Sequence, residues 1–126
     1  MIVGLGIDLI ELDRIRSVYA RHQQRFIDRI LTPAEKQYVM EHADPTARLS
    51  GRWAAKEAGL KSLGTGLAEG IGWRDIEVLP DERGKPILHL HGKASERALL
   101  LEANVFHVTI THSQGLAMAQ VILERV

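Results

Sequence analysis

The chain has no cysteine among its 126 residues. That excludes a disulfide scaffold, cysteine-ligated zinc and a thiol nucleophile, and it is compatible with a reducing cytoplasm. Net charge is absent too: 16 basic residues balance 16 acidic ones, so neither general nucleic-acid affinity nor a polybasic membrane surface is implied. Any charge-driven partner has to meet a local patch. No stretch approaches the ~20 apolar residues of a membrane span, and no basic leader precedes Asp8, so the expectation is a soluble, unexported, cytoplasmic protein. No linker, low-complexity tract or repeat divides the sequence. Its length suits one domain, residues 1–126, with room for a hydrophobic core.

What is present is organised around residues 52–66, Arg-Trp-Ala-Ala-Lys-Glu-Ala-Gly-Leu-Lys-Ser-Leu-Gly-Thr-Gly. The composition is helical up to Leu63, and Glu57 and Lys61 stand at i,i+4, on one face. Gly64-Thr65-Gly66 can end that helix and bring bare backbone amides close to a ligand. A carboxylate for a hard cation, an ammonium for a phosphate and an amide-rich turn together suggest a phosphate site. A surface salt bridge between Glu57 and Lys61 explains the same spacing.

Residues 2–9 alternate, with Val3, Leu5, Ile7 and Leu9 on one face and Gly4, Gly6 and Asp8 on the other, which predicts a strand. Leu12, Ile15, Tyr19, Phe26 and Ile30 follow helical spacing, with room for an interruption near His22. The opposite surface carries five arginines between residues 14 and 29 against one acid, Asp28. A solvated face explains such a run, and so does an acidic protein partner. Thr32-Pro33-Ala34-Glu35 predicts a helix start with a capping box, and Asp44-Pro45 repeats the signal before a long helix that turns Leu49, Trp53, Leu60 and Leu63 to the core. After a glycine-rich turn at 64–72, strands are predicted at 73–79 and 87–91 around a hairpin loop, then a helix over about 93–103. Two last strands follow. Val105 to Thr111 alternates, Leu116 to Leu123 is apolar on both faces, and the joint at 113–115 makes them an antiparallel hairpin. The fold class expected is α+β, antiparallel strands packed with a long helix.

Asp8 ends the first strand, where a helix cap is the plainer role. With Glu57 it could instead supply the one or two carboxylates that hold Mg2+ while phosphates and waters complete the octahedron. His107 and His112 suit acid-base or metal chemistry, or a surface hydrogen bond. His89 and His91 share a strand face without a third ligand and are assigned to surface.

Gly6-Ile7-Asp8-Leu9-Ile10-Glu11-Leu12-Asp13-Arg14-Ile15 resembles the first signature of the 4'-phosphopantetheinyl transferases, and Trp53-Ala54-Ala55-Lys56-Glu57-Ala58 with Lys61 resembles their second. The Leu31-to-Glu35 element, Gly64-Thr65-Gly66, Gly84-Lys85-Pro86 and the run from His107 to Ser113 resemble the holo-[acyl-carrier-protein] synthase type of that family. Trp53 stands where the family often has Phe. The resemblance implies a 4'-phosphopantetheinyl transferase-like fold and transfer of 4'-phosphopantetheine from coenzyme A to a serine of acyl carrier protein, supporting fatty acid biosynthesis. It puts the Mg2+ ligands on Asp8 and Glu57, a phosphate contact on Lys61, nucleotide contacts on Gly64, Thr65 and Gly66, and His107 beside the coenzyme. Glu35 matches an acidic position of the family's site and is a candidate general base, although the capping box explains it equally. Small members are symmetric trimers with sites between subunits, which implies a homotrimer here. The arginine face, Arg14, Arg21 and Arg25, becomes a candidate docking surface for the acidic carrier. Two other readings fit the carboxylates and lysine: a Mg2+-dependent hydrolase of nucleotide pyrophosphates, and a non-catalytic nucleotide-binding module.

Overall fold

A computed structural model describes residues 1–126. The chain runs β1 (Ile2–Glu11), α1 (Leu12–Ile30), α2 (Pro33–Met40), α3 (Thr46–Leu63), a 3-10 turn (Trp73–Asp75), β2 (Ile76–Pro80), β3 (Pro86–Leu90), α4 (Gly92–Leu100), β4 (Val105–Ser113) and β5 (Leu116–Glu124). No helix is long and apolar enough to cross a membrane. The expected α+β class holds: β1, β5 and β4 form one antiparallel sheet in that order, and β2 and β3 a separate hairpin.

The long helix α3 is the centre of the packing. One face carries small residues at 51, 55, 58 and 62, and these let the sheet come close. A Cβ on Gly6 would lie 1.9 Å from the Ala58 carbonyl oxygen, and one on Gly4 2.3 Å from that of Ser62. No side chain fits between β1 and α3 at those points. The glycine face of β1 is therefore the buried one, and Leu5, Ile7 and Leu9 point to the open side of the sheet. Across α3, Leu49, Leu60 and Leu63 join a core cluster that includes Ile27, Ile30, Val39, Ile76 and Val78.

Several elements differ in detail from expectation. The helix of residues 12–30 is broken at Gln23 (φ 44°, ψ −120°), next to the expected interruption at His22. Arg25 thus lies beyond a kink and does not continue the face of Arg14 and Arg21. The strand expected from Trp73 begins at Ile76, because Asp75 accepts the Gly72 amide at 3.0 Å and winds residues 73–75 into the 3-10 turn. Helix α4 stops at Leu100, where Glu102 turns to φ 61° and Ala103 N–H donates back to the Ala98 carbonyl at 2.9 Å.

Candidate active site

Strand β1 and helix α3 bring Asp8, Glu57 and Lys61 together. The Asp8 carboxylate lies on the sheet face that α3 covers, and its Oδ1 is 3.3 Å from Lys61 Nζ. Lys61 Nζ also donates to the Ile7 carbonyl at 2.9 Å. Lys61 has therefore turned to β1, and the i,i+4 ion pair with Glu57 is not formed. Glu57 has no hydrogen-bond or ion-pair partner. Its carboxyl is pushed above the usual glutamate range, first by burial and then by the negative charge of Asp8, against smaller opposing effects of Lys61 and Arg14. Two oxygen-donor groups that repel each other, one without a donor, form a set that suits a hard divalent cation. No third histidine or acidic group joins the two carboxylates.

The turn after α3 adds donors beside Lys61. Gly64 adopts φ 79° and caps the helix, its N–H donating to the Lys61 carbonyl at 3.1 Å. The next three backbone N–H groups, of Thr65, Gly66 and Leu67, have no acceptor within the chain. Arg97, which the sequence reading did not single out, donates from Nε to the Leu63 carbonyl at 3.0 Å and so places a cation at the helix C-terminus.

The other expected residues lie elsewhere. His107 is exposed on the open face of the sheet, its Nε2 3.0 Å from Glu124 Oε1, whereas Asp8 points to the α3 side. One chain does not bring His107 to the carboxylate pair. His112, also exposed, turns to the α3 side of the sheet and hydrogen-bonds the Ala47 carbonyl at 2.9 Å, docking the end of β4 on α3. Arg14 is exposed but close enough to lower the Glu57 pKa, while Arg25 and Arg29 line a cleft of about 690 Å³ with His22, Phe26, Trp53, Leu67 and Trp73. His89 and His91 are exposed, as expected, and His91 contacts Glu77 Oε1 at 3.0 Å.

Glu35 is fully buried. The capping box is formed, with Thr32 N–H donating to Oε1 at 3.0 Å; Oε1 also accepts from Lys56 Nζ at 2.7 Å, and Oε2 accepts from Val78 N–H at 2.8 Å. Both oxygens are occupied and neither meets solvent. Its partner Lys56 belongs to the Trp53-to-Ala58 motif. The signal was there: Leu49, Trp53, Lys56, Leu60 and Leu63 form one apolar stripe at four- and three-residue steps, and a charge on that stripe needs a buried partner.

A family model described as the 4'-phosphopantetheinyl transferase superfamily matches residues 4–120. Among curated relatives, a holo-[acyl-carrier-protein] synthase of Solidesulfovibrio magneticus is 49% identical over 98% of this chain and 99% of its own length. One of Nitratidesulfovibrio vulgaris is 52% identical over the same shares. Among solved structures, the holo-[acyl-carrier-protein] synthase from Neisseria meningitidis superposes with a TM-score of 0.91 at 30% identity, covering 99% of this chain and 100% of that one. A holo-(acyl-carrier-protein) synthase from Bacillus anthracis in complex with CoA (3',5'-ADP) gives 0.84 at 41% identity, over 100% and 99%. The matched segment takes in the glycines of β1, Asp8, Glu57, Lys61 and the turn after them, and the chain belongs to the 4'-phosphopantetheinyl transferase superfamily.

Proposed function

We propose that this protein transfers the 4'-phosphopantetheine arm of coenzyme A to a serine hydroxyl of apo acyl carrier protein, releasing adenosine 3',5'-bisphosphate. The observation that carries this reading is the convergence of Asp8, Glu57 and Lys61 beside three unpartnered amides, in a chain of this family. The serine oxygen attacks the pantetheine-bearing phosphorus while the bond to the leaving phosphate breaks, so alignment and charge neutralisation are the main tasks. Asp8 and Glu57 would hold Mg2+, which supplies positive charge to the pyrophosphate. Lys61, anchored on Ile7, offsets charge that grows on the leaving phosphate, and the amides of Thr65, Gly66 and Leu67 orient the nucleotide. Glu35 we assign to structure: with both oxygens bound inside the core, it holds α2 to α3 and leaves the serine proton to another acceptor.

The working unit in this reading is a homotrimer with shared sites. The open face of the sheet exposes Leu5, Ile7 and Leu9 at 58%, 52% and 60%, beside Leu116 and Met118. So apolar a face calls for a cover, and a second copy supplies one while bringing His107 toward a neighbour's carboxylate pair. The arginines of α1 receive the acidic carrier. The reading further implies a cytoplasmic enzyme serving fatty acid biosynthesis.

The test is release of adenosine 3',5'-bisphosphate from coenzyme A and Mg2+ in the presence of carrier. Transfer predicts release only when the carrier has its acceptor serine, and none with a Ser→Ala carrier. Equal release from both would make the protein a hydrolase.

A further inference from the structure

The transferase mechanism above does not use Lys56, yet this is the largest fully buried side chain of the molecule. Its ammonium has three donors and uses all of them: Glu35 Oε1 at 2.7 Å, the Trp73 carbonyl at 3.1 Å and the Ile76 carbonyl. Two of those acceptors belong to the segment that leaves the glycine-rich turn and enters β2. Lys56 and Arg52, the latter on the Val78 carbonyl, are the only α3 side chains that hydrogen-bond this segment. A hydrophobic pair of similar volume could fill the space between α3 and β2, since the charge attraction of a buried ion pair often gains little over apolar packing. Such a pair would leave the two carbonyls without a directed partner.

Trp73, whose carbonyl Lys56 holds, carries a ring that packs on α3. It stacks on Trp53 with centroids 4.7 Å apart at 27°, and Trp53 in turn meets Phe26 at 5.6 Å. Trp53 lies one helical turn before Lys56. The same three aromatic residues line the cleft together with the basic His22, Arg25 and Arg29. A cleft lined by both aromatic and basic side chains, on the helix that bears the arginine face, suits an acidic amphipathic helix.

We propose that Lys56 is a positioning residue for carrier recognition: by holding the Trp73 backbone it presets the stacked tryptophans that line the cleft beside α1. The role in recognition rests on the transferase reading; the Lys56–Trp73 link does not. Lys56→Met combined with Glu35→Gln removes both buried charges; the glutamine oxygen keeps the capping-box bond from Thr32 N–H, and the bond from Val78 N–H is lost. Circular dichroism reads the stacked indoles directly through their exciton couplet, with Trp73→Phe identifying the band. The expected result is a couplet reduced by about half or more and a kcat/KM for apo carrier lowered about tenfold, well within the roughly 10²-fold that an ångström of misplacement can cost. The KM for coenzyme A should stay within about twofold. Wild-type couplet and wild-type carrier kinetics in the folded double variant would overturn the proposal. If that variant does not fold, Trp73→Ala decides: a carrier-specific loss supports the role of the stacked tryptophans, and unchanged carrier kinetics overturn it. Absence of transfer by the wild-type protein would instead refute the transferase reading, and the couplet would still report whether Lys56 holds Trp73.

Discussion

Gly6→Ala is the sharpest perturbation of the candidate site that touches none of its functional groups. The added methyl would sit 1.9 Å from the Ala58 carbonyl oxygen and 2.8 Å from the Ser62 nitrogen. Both are backbone atoms of α3, so no side-chain rotation relieves the clash. Reaching even 3.0 Å from the Ala58 oxygen requires about 1.1 Å of separation between β1 and α3. β1 is an edge strand, paired only with β5, so it is the element that yields. An opening of that size breaks the Lys61–Ile7 hydrogen bond, now 2.9 Å, and draws Asp8 away from Glu57. Overpacking of this kind costs about 1–3 kcal/mol, which leaves the fold standing. At roughly 4 °C per kcal/mol for a domain of this size, the melting temperature falls by about 4–12 °C. Turnover falls about 10²-fold, the usual effect of an ångström of misalignment. Gly72→Ala is the control, because its φ is −109° and a Cβ there meets nothing within 4 Å. The assays are a thermal melt and the rate of adenosine 3',5'-bisphosphate release. A Gly6→Ala protein that melts lower but turns over at the wild-type rate would refute the claim that the glycine contact aligns the site.

Other outcomes follow from the same geometry. Because the folded protein raises the Glu57 pKa, Glu57 contributes stability fully below the unfolded value of 4.5 and loses it as pH rises through the folded value. Glu57→Gln should therefore melt higher than wild type at neutral pH, lose that gain below about pH 4.5, and lose turnover. Mg2+ should raise the melting temperature of the wild-type protein and not of Glu57→Gln; an equal shift in both would remove Glu57 from the metal site. Arg14→Glu and Arg21→Glu should raise the KM for the carrier and weaken its salt dependence, a steering effect screened beyond about 10 Å at 0.1 M salt. Arg14 also lies near Glu57, so its variant should lower kcat as well, whereas Arg21 should not; a matching kcat loss at Arg21 would count against a purely docking role. Mixing inactive Asp8→Ala and His107→Ala proteins should restore activity through hybrid sites, and a fully active monomer by light scattering would end the shared-site account.

Local signals in the sequence carried most of the elements, and pairings distant in sequence were the part it did not carry. The Thr32-to-Glu35 box, the glycine stop at Gly64 and the β4–β5 hairpin are written within a few residues each, so their chemistry is readable in order. The pairing of β1 with β5 joins residues more than a hundred positions apart, and nothing in residues 2–11 announces that partner. The bare face of β1 was legible as glycines, but that α3 fills it became visible only when Gly6 met Ala58. For Asp8, Glu57 and Lys61, spacing suggested a phosphate site but left a helix cap and a surface ion pair as equally good explanations, and the resemblance is what joins them in one candidate site. Glu35 shows the limit most clearly. Half of its setting, the capping box, lies within four residues, and the other half, Lys56, lies 21 residues away in another helix. The kink at Gln23 was anticipated near His22, but its effect on the direction of Arg25 depends on backbone angles that residue types do not specify.

The central claim is covalent transfer, and intact-mass measurement of the carrier tests it most directly. Purified protein is incubated with coenzyme A, Mg2+ and apo acyl carrier protein, and the carrier is weighed before and after. The account predicts a carrier heavier by one phosphopantetheine group on its acceptor serine, with no gain when Asp8→Ala or Glu57→Ala replaces the wild-type protein. A carrier of unchanged mass while coenzyme A is consumed, or a full mass gain with either variant, would contradict it.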